Sequence, residues 1–561
     1  MHNHRRQFLS SLSLAALATS ALPSFANSEK SVDLAIIGGG LGGCAAALAA
    51  LRNGLRVVLS EPTDWIGGQL TSQAVPPDEH RWIETHGANQ SYRELRSSIR
   101  DYYRQHRPLL PQARDNPVLN PGNGSVSRLC CEPIVAWRVL QAQLAPYSAT
   151  GQLQYLLQHQ IHSADVSGDR IEAVTLQSQL TGDRHTLIAP LFVDATELGD
   201  LLPLAGAEWL TGAEAASETG ELHACLTNDP ANQQAFTVCF AAEYIDGQDH
   251  TIERPREYDF WREFVPQLTP AWPGRLLDLT YTHPRSGQPR KLGFDPRGGP
   301  VDGVLNLWLY RRILDRSLFE SSPAPGDISL INWPQNDYLL GNLIDVSAEE
   351  AAGHIERARQ LSLSLLYWLQ TEVPRRDGGH GFPGLRLRPD WMGSDDGLAK
   401  APYIRESRRI RAEFTVLEEH LGRQQRSQLL GQPEATVRAA DFHDSVGVGA
   451  YAIDLHPTSS GDNYIDFETC PFQIPLGALL PVRLENLLPA CKNMGTTHLT
   501  SGCYRLHPVE WGIGEAVGCL ASFALQQHCS PRAVRQQPER MADFQKFLIS
   551  QGVEIQWPNA L

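Results

Sequence analysis

The sequence predicts an α/β protein built on a parallel β-sheet, and two neighbouring segments carry this prediction. The first, Val32–Gly43, reads VDLAIIGGGLGG, an apolar run of strand length that ends in the pattern Gly-x-Gly-x-x-Gly. An alanine-rich stretch of helical character, Cys44–Leu51, follows at once. The second segment, Arg56–Ser60, reads RVVLS and has the composition of another buried strand. Strand, turn, helix and strand in this order form the unit from which parallel sheets are built.

The glycines of the turn indicate a phosphate-binding site. Gly38 suits the tight turn, Gly40 lets backbone approach a pyrophosphate, and Gly43 lets the helix pack closely on the strand. The helix then offers unpaired N–H groups and the positive end of its dipole to the phosphates. Glu61 ends the second strand roughly 20 residues further on, where the ribose hydroxyls of a dinucleotide lie. We therefore expect a dinucleotide-binding domain rather than a glycine-rich turn in an unrelated α/β protein.

Residues 1–26 predict a cleaved export signal. Arg5 and Arg6 precede an apolar run that ends near Leu22 and is too short to span a membrane. Ser24–Ala26 is a small-x-small cleavage site, and the arginine pair followed by Phe8 is similar to the twin-arginine signal of bacteria. The alternative is an ordinary secretory signal that happens to hold two arginines. Because the twin-arginine route carries folded, cofactor-loaded proteins, we expect a periplasmic or secreted protein exported by that route.

Composition limits the partners of the chain. Its 561 residues are enough for two packed domains, and 42% hydrophobic and 20% charged residues are typical of a soluble globular protein. A formal charge of −15 at pH 7 argues against nucleic acid and anionic membrane as partners. No segment after the signal is long and apolar enough to span a bilayer. The ten cysteines contain no C-x-x-C spacing, so no metal site is expected.

The rest of the chain alternates between two kinds of region. Leu153–Asp194 shows short strands separated by Ser-Gly-Asp and Thr-Gly-Asp turns, a pattern typical of a β-meander. From about Gly206 to Ala440 the sequence is richer in Trp, Pro and Arg, and we place a substrate domain there. Ser347 begins a predicted helix with capping-box spacing. Pro508 suits the first turn of a last helix, which has small residues that could approach a cofactor closely: Gly512, Gly514, Ala516 and Gly518.

This order of segments resembles the FAD-dependent oxidoreductases of the glutathione-reductase-like superfamily. More narrowly, the chain is similar to secreted bacterial FAD-dependent oxidoreductases that are often labelled xanthan-lyase-related. Four motifs carry the narrower resemblance: Leu385–Pro389 (LRLRP), Pro402–Arg409 (PYIRESRR), Ile474–Pro481 (IPLGALLP) and Tyr504–Pro508 (YRLHP). The resemblance implies a Rossmann-type FAD-binding domain with an inserted α+β substrate domain. The FAD-binding domain would comprise residues 31–75, 130–205 and 470–530, and the substrate domain residues 76–129 and 206–469.

The resemblance also assigns the contacts of a non-covalent FAD. The pyrophosphate would lie against Gly38, Gly40, Leu41 and Gly43, the adenosine ribose against Glu61, the adenine against the backbone near Ile161, and the ribityl chain and flavin along Gly67, Gly68 and Gln69. Where many relatives have a glycine and an acid beside the ribityl chain, this sequence has Cys491-Lys492-Asn493, of which Asn493 is assigned to the cofactor. The helix after Pro508 would aim its N-terminus at the flavin, where its dipole stabilises the reduced anion.

Flavin chemistry removes a hydride from the substrate, usually while a base takes the paired proton. His507, directly before the last helix, is the first candidate for that base. His498 lies in the same loop, and His80 follows the Gly67-Gly68 segment. The alternative for each histidine is a purely structural side chain. Arg405 could orient a carboxylate, although the arginines of its motif are more often paired within the scaffold.

We therefore expect an oxidase or dehydrogenase acting on a C–N or C–OH bond of a small organic substrate. The electron acceptor, oxygen or a periplasmic carrier, is left open, as is the substrate. One alternative is a hydroxylase or reductase fed by a nicotinamide. Residues Gly379–Gly384 repeat the glycine spacing, but Pro383 stands where a helix should begin, so they are rejected as a second nucleotide site. The other alternative is a binding protein in which FAD has only a structural role and takes part in no reaction.

Overall fold

A parallel sheet of five strands carries the glycine-rich turn. The computed structural model describes residues 27–299, 301 and 303–558, so the predicted export signal lies outside the described residues. The strand order across the sheet is Leu487–Pro489, Leu191–Asp194, Leu34–Ile37, Val57–Glu61 and Leu153–Leu157, and all neighbours run parallel. The central strands are buried and apolar because both faces of the sheet are covered, one by helices and the other by the antiparallel strands described below. The predicted α/β class with a parallel sheet is confirmed.

Two helices pack against each other through glycines. The helix that follows the turn, Leu41–Arg52, is almost wholly buried, and so is the terminal helix, His507–Gln526. A Cβ atom on Gly514 would lie 2.0 Å from the carbonyl oxygen of Gly42, and one on Gly518 would lie 2.3 Å from that of Ala46. The small residues of the terminal helix were expected to face a cofactor. Gly514 and Gly518 face the first helix instead, because two helix backbones can approach this closely only without side chains.

The predicted β-meander divides between two sheets. His159–Ser167, Arg170–Ser178 and Arg184–Ile188 pair antiparallel, as expected. The outer strands of the predicted meander belong to the parallel sheet. The strand Asn27–Ser31 pairs parallel with Arg184–Ile188 and was not predicted.

A second hydrophobic cluster is formed by side chains between Ala235 and Tyr464. Its sheet has the order Arg312–Leu314, Ile328–Ile331, Phe240–Tyr244 and Leu385–Leu387. The helix Ala348–Thr371 packs beside it, and the Ser347 hydroxyl accepts a hydrogen bond from the Glu350 N–H at 3.1 Å. The cap predicted at Ser347 is thus present, while the division of the chain into domain ranges stays a prediction.

The remaining elements are short strand pairs and helices. The strand pairs are Trp209–Leu210 with Arg409–Ile410, Phe236–Thr237 with Asp337–Tyr338, Thr280–Thr282 with Pro289–Lys291, Ser445–Gly449 with Phe472–Pro475, and Ile453–Leu455 with Ile465–Phe467. The helices are Gln90–His106, Pro111–Arg114, Pro133–Ala149, Leu201–Leu204, Ala216–Thr219, Tyr258–Glu263, Leu307–Tyr310, Pro389–Met392, Arg423–Leu430, His498–Tyr504, Pro531–Gln536 and Pro538–Ser550. Among the described residues, no helix has the length and apolar character needed to cross a membrane.

Gly514→Ala should lower the melting temperature, because the new methyl group would collide with the Gly42 carbonyl and push the two helices apart. Overpacking of this kind costs about 1–3 kcal/mol. Gly512→Ala is the matched control in the same helix, since the nearest atom to its Cβ is Ile474 Cδ1 at 3.6 Å. Removing a helical glycine there should leave stability unchanged or raise it by up to about 1 kcal/mol. Equal melting temperatures for the two variants would contradict the glycine-mediated helix packing.

Candidate active site

The glycine turn closes because two of its positions lack side chains. Gly38 has a φ of +100°, and a Cβ there would lie 2.3 Å from the backbone oxygen of Ala195. A Cβ on Gly43 would lie 2.2 Å from the Gly38 oxygen. Gly40 differs, because its φ is −59° and its Cβ would first meet a side-chain atom, Oε1 of Glu197 at 3.0 Å. The fold itself requires Gly38 and Gly43. At Gly40 the nearest obstacle to a side chain is the Glu197 carboxylate and not the backbone of the turn.

Glu61 lies beside the turn, as predicted from its place at the end of the second strand. Its Oε2 accepts a hydrogen bond from the Gly39 N–H at 3.1 Å, and its Oε1 accepts one from the Thr63 N–H at 3.0 Å. Burial raises the pKa of Glu61 to about 7. Ile161 packs against the hydrophobic cluster beneath the sheet. The hydrogen bond to the Thr63 carbonyl comes from the N–H of Gln158, not from Ile161. The adenine contact near Ile161 stays a prediction.

The segment from Gly67 to Asp78 connects the turn to the start of the terminal helix. The Gly67 N–H donates to the Gly39 carbonyl at 2.7 Å, and a Cβ on Gly68 would lie 2.8 Å from the Gly40 Cα. The side-chain amide of the next residue, Gln69, donates to the Arg505 carbonyl at 3.1 Å. The predicted flavin-side segment therefore runs from the glycine turn towards the residues that precede the terminal helix.

His507 begins the terminal helix, with Pro508 in the first turn as predicted. The Asp78 N–H donates to its Nδ1 at 3.2 Å, so Nε2 carries the proton and donates to the Val75 carbonyl at 3.0 Å. Burial lowers the pKa of His507 to about 4, which keeps the ring neutral. Because backbone groups use both ring nitrogens, this geometry fixes residues 75–78 to the helix and leaves no nitrogen for a substrate proton. The catalytic assignment of His507 stays a prediction that this geometry does not favour.

His80 is held in the same way, between the Trp82 N–H at 3.2 Å and the Gly87 carbonyl at 3.0 Å. Its ring also packs against Trp82 and Trp557, and burial lowers its pKa to about 4. The structure thus gives His80 two backbone partners and an aromatic setting away from the cavity described below.

His498 lines a separate cavity of about 200 Å³ together with Glu214 and Glu221. Its Nδ1 lies 3.2 Å from Glu406 Oε2, and although burial opposes the charge, Glu406 raises the pKa of His498. The three predicted catalytic histidines are therefore not brought together by the fold.

A cavity of about 490 Å³ opens where the connecting segment and the terminal helix meet. Asp78 lines it from the segment, and Arg505 and Leu506 line it from the residues before the helix. Arginines outnumber aspartates on its walls by five to three, namely Arg285, Arg290, Arg311, Arg405 and Arg505 against Asp78, Asp454 and Asp466. The cavity therefore combines proximity to the predicted flavin path with a positive lining.

Several of these arginines are partly paired. Arg311 bonds both carboxylate oxygens of Asp78 at 3.2 Å, and Arg505 donates to the Asp454 carbonyl at 2.8 Å. Among the described residues, the buried Nε groups of Arg311, Arg405 and Arg505 have no hydrogen-bond partner. These Nε atoms are themselves enclosed, so it is the positive charge of the guanidinium groups in the wall that suits the cavity to an anionic ligand. Arg405 was named from the sequence, while Arg311 was missed.

A histidine that the sequence did not single out faces this cavity. His456 Nδ1 lies 2.6 Å from Asp337 Oδ2, so it carries the proton and donates it, leaving the Nε2 lone pair on the cavity side. Nε2 makes no hydrogen bond to any described residue, and its nearest carboxylate oxygen is Oδ2 of Asp454 at 4.0 Å. Burial, with Arg405 nearby, lowers the pKa of His456. His456 is thus a neutral imidazole with an available nitrogen.

Asp337 is fully buried and orients His456. Its Oδ1 accepts a hydrogen bond from the Thr237 hydroxyl at 2.6 Å and lies 3.1 Å from an Arg405 nitrogen. Burial alone would raise the pKa of Asp337, but Arg405 and His456 hold it below its usual value. Because Asp337 and His456 are 119 residues apart with no motif around either, no sequence signal links them.

A group of charged side chains surrounds Gly40 and Gly42. Glu510 Oε1 accepts a hydrogen bond from the Gly42 N–H at 3.0 Å, and Gln69 donates to Glu510 Oε2. The buried Gln69 Oε1 has no partner among the described residues. The side-chain amide of Asn493 donates a hydrogen bond to the Asp194 carbonyl at 3.0 Å. The contact of Asn493 with the cofactor therefore stays a prediction.

These features fit a dinucleotide. The glycine turn at the carboxyl edge of the parallel sheet suits the phosphates of a dinucleotide, and the buried carboxylate at the end of the next strand suits its ribose. The amide oxygen without a hydrogen-bond partner suits the polar edge of a ring. A second domain-sized cluster then closes a cavity beside it, which is the arrangement of a cofactor-dependent enzyme. Residues 33–548 match the family model described as FAD dependent oxidoreductase. The chain belongs to this family, is an oxidoreductase and uses FAD as its cofactor.

Solved structures of other flavoproteins show weak similarity to the chain. A point variant of E. coli quinol fumarate reductase FrdA is 11% identical, with 92% of this chain and 74% of that chain covered and a TM-score of 0.35. L-proline dehydrogenase from P. horikoshii is 14% identical, with 35% of this chain and 26% of that chain covered and a TM-score of 0.17. No curated protein sequence matches significantly.

Gly40→Val should give folded but colourless protein. The backbone of Gly40 has a φ that any residue adopts, and its Cβ would meet the Glu197 carboxylate rather than backbone. The valine would instead occupy space that the pyrophosphate needs. Flavin absorbance per protein, measured beside circular dichroism, checks this expectation. Gly353→Val in the exposed part of another helix is the control, since its Cβ would meet nothing within 4 Å. Full flavin content in Gly40→Val would show that the turn does not hold FAD.

Proposed function

We propose that this protein oxidises a C–OH or C–N bond of a small anionic substrate, passing the hydride to a non-covalent FAD. The observation that carries the proposal is the arginine-rich cavity of about 490 Å³ at the end of the segment that starts at the glycine turn. Gln69 and Asp78 lie on that one segment, the first bonded to the backbone before the terminal helix and the second in the cavity wall. A flavin lying along the segment would present its reactive ring to the cavity.

The lining supports an anionic substrate, most simply one with a carboxylate. Arg311 and Arg505 both line the cavity, and guanidinium groups match carboxylate geometry. The five tyrosines in the wall, Tyr281, Tyr310, Tyr403, Tyr451 and Tyr464, supply further hydroxyls for polar substituents. A neutral analogue would leave the arginine donors unsatisfied.

His456 is the proton acceptor in this proposal, with Asp337 as the residue that orients it. Bound FAD would accept the hydride of the substrate C–H bond, and His456 Nε2 would accept the O–H or N–H proton. The product carries a new C=O or C=N bond, and the imidazolium is stabilised by the Asp337 carboxylate 2.6 Å from Nδ1. Orientation of a base by a buried carboxylate is a recurring device in enzymes.

The proposal includes the finer fold and location. We assign the parallel-sheet region to a glutathione-reductase-like FAD domain with the substrate domain inserted, because the five strands come from three separate parts of the chain. We also place the protein in the periplasm or outside the cell, among the secreted relatives labelled xanthan-lyase-related. Support comes from the signal-like residues 1–26.

Anaerobic mixing with matched pairs of compounds tests the proposal. Each pair has a compound with a carboxylate and a counterpart without one: lactate and 2-propanol, L-alanine and isopropylamine, galacturonate and galactose. The carboxylate member should bleach the flavin at least about 10-fold faster than its counterpart, because pairing with an arginine contributes that much. With the compound that reduces the flavin, His456→Gln should lower the rate constant by about 10²-fold or more at unchanged FAD content.

The pH profile separates a base from a structural histidine. In the wild type, the rate constant of flavin reduction should rise with pH through the pKa of His456. That pKa is set by the groups that face the ring, namely Asp337, Arg405, Asp454 and Tyr464. The rise should be absent in His456→Gln. His223→Gln is the matched control, because His223 also pairs with a carboxylate, Glu418 at 2.7 Å, but lies outside this cavity.

Faster bleaching by the compounds without a carboxylate would overturn the proposal that the substrate is anionic. Bleaching by NADPH would favour a nicotinamide-fed enzyme, and bleaching by no donor an FAD-plugged binding protein.

Replacing Arg5 and Arg6 together by lysine should stop export and leave folded, yellow protein in the cytoplasm. A twin-arginine signal requires the guanidinium pair, while an ordinary secretory signal needs only positive charge. Fractionation of the producing cells, with flavin fluorescence in each fraction, gives the answer. The control is Arg52→Lys, which makes the same chemical change outside the signal. Unimpaired export of the double variant would decide against the twin-arginine route.

A further inference from the structure

A lysine is buried at the glycine turn. The Lys492 side chain is 2% exposed, its ammonium is hydrogen-bonded to Glu197, and it lies 3.6 Å from Glu510 Oε2. The thiol of Cys491 is 3.4 Å away. Although burial opposes the charge, Cys491, Glu197 and Glu510 raise the pKa of Lys492, so the amine stays protonated.

The sheet places this lysine where the cofactor phosphates are expected. Three neighbouring parallel strands, Leu34–Ile37, Leu191–Asp194 and Leu487–Pro489, end at the same edge. The first leads into the glycine turn, the second into Glu197 and the third into Lys492. Because ligands of such sheets bind beyond the carboxyl ends of the strands, the lysine and the glycine turn face one site.

Two carboxylates hold the ammonium beside the turn. A Cβ on Gly40 would lie 3.0 Å from Glu197 Oε1 and 3.5 Å from Glu510 Oε1. Glu510 also accepts a hydrogen bond from the Gly42 N–H, which as part of the first helical turn has no backbone partner in the helix. Burial raises the pKa of Glu510, which favours its uncharged form. A buried lysine without such partners would be strongly destabilising.

We propose that Lys492 is the counter-ion of the FAD diphosphate, and that Glu197 and Glu510 keep its ammonium at the turn. Atoms of Glu197, Cys491 and Glu510 lie within 4.8 Å of one another and could in principle surround a metal ion. The ammonium of Lys492 already binds this group, so the chain supplies the positive charge itself.

The test compares two fragments of the cofactor, ADP and adenosine, which differ in the diphosphate. Both are titrated into protein freed of FAD, and their dissociation constants are measured by calorimetry. Lys492→Met should weaken ADP binding by about 10- to 100-fold, the usual effect of a lost charge-assisted hydrogen bond. Adenosine binding should stay within about 3-fold, since no charge is involved. Lys492→Arg should retain most of the ADP affinity, because the positive charge at the turn remains.

Lys546→Met is the control for a change in net charge, because Lys546 is 76% exposed and pairs only with Asp543 among the described residues. It should leave both constants unchanged. Equal weakening of ADP and adenosine in Lys492→Met would mean that the lysine only maintains the fold, and unchanged ADP binding would mean that it does not meet the diphosphate. Either result overturns the inference. If Lys492→Met does not fold, Lys492→Gln takes its place with the same expected ratio, and the FAD content of the purified variants gives a second measure.

Discussion

The contact between the first helix and the terminal helix is the constraint on which the site depends. Gly514 and Gly518 allow the two backbones to touch, and this contact joins parts of the chain more than 450 residues apart in sequence. It brings Glu510 to the N-terminus of the first helix. It also sets Leu506 at the cavity that the predicted flavin segment reaches. A side chain at either glycine would collide with the backbone of the first helix and push the two helices apart.

Buried charge is the second organising feature. The cavity and the glycine turn each contain ionised side chains that are removed from water, and each charge is matched by neighbours. Desolvation makes an unpaired buried charge very unfavourable, whereas a paired one with its hydrogen bonds satisfied is tolerated. The pairs of Arg311 with Asp78 and of Arg405 with Asp337 therefore act as scaffold. His456 Nε2, which makes no hydrogen bond to a described residue, is the group in that wall that a ligand can use.

The histidines show how position in sequence and role in the site diverge. His507 stands next to the helix that was expected to face the flavin, yet its ring joins two backbone segments. His456 follows the short strand Ile453–Leu455, in a region of irregular structure, and presents a free nitrogen to the cavity. Two residues earlier, Asp454 lies in the same wall, as expected for alternate positions of an extended chain. Being near the cofactor along the chain is thus a weaker guide than having an unsatisfied donor or acceptor.

The resemblance to FAD-dependent oxidoreductases predicted the cofactor, and the sequence by itself determined the parallel sheet, the glycine turn and the carboxylate at Glu61. These follow from local rules, since strand composition, glycine spacing and helix caps act over a few to about 20 residues. The meander and the helix capped by Ser347 were predicted for the same reason. Only the tertiary structure decided which polar groups meet. Asp337 with His456 and Lys492 with Glu197 pair across roughly 120 and 300 residues, and such pairings depend on how buried charges are satisfied in three dimensions, which no local pattern records.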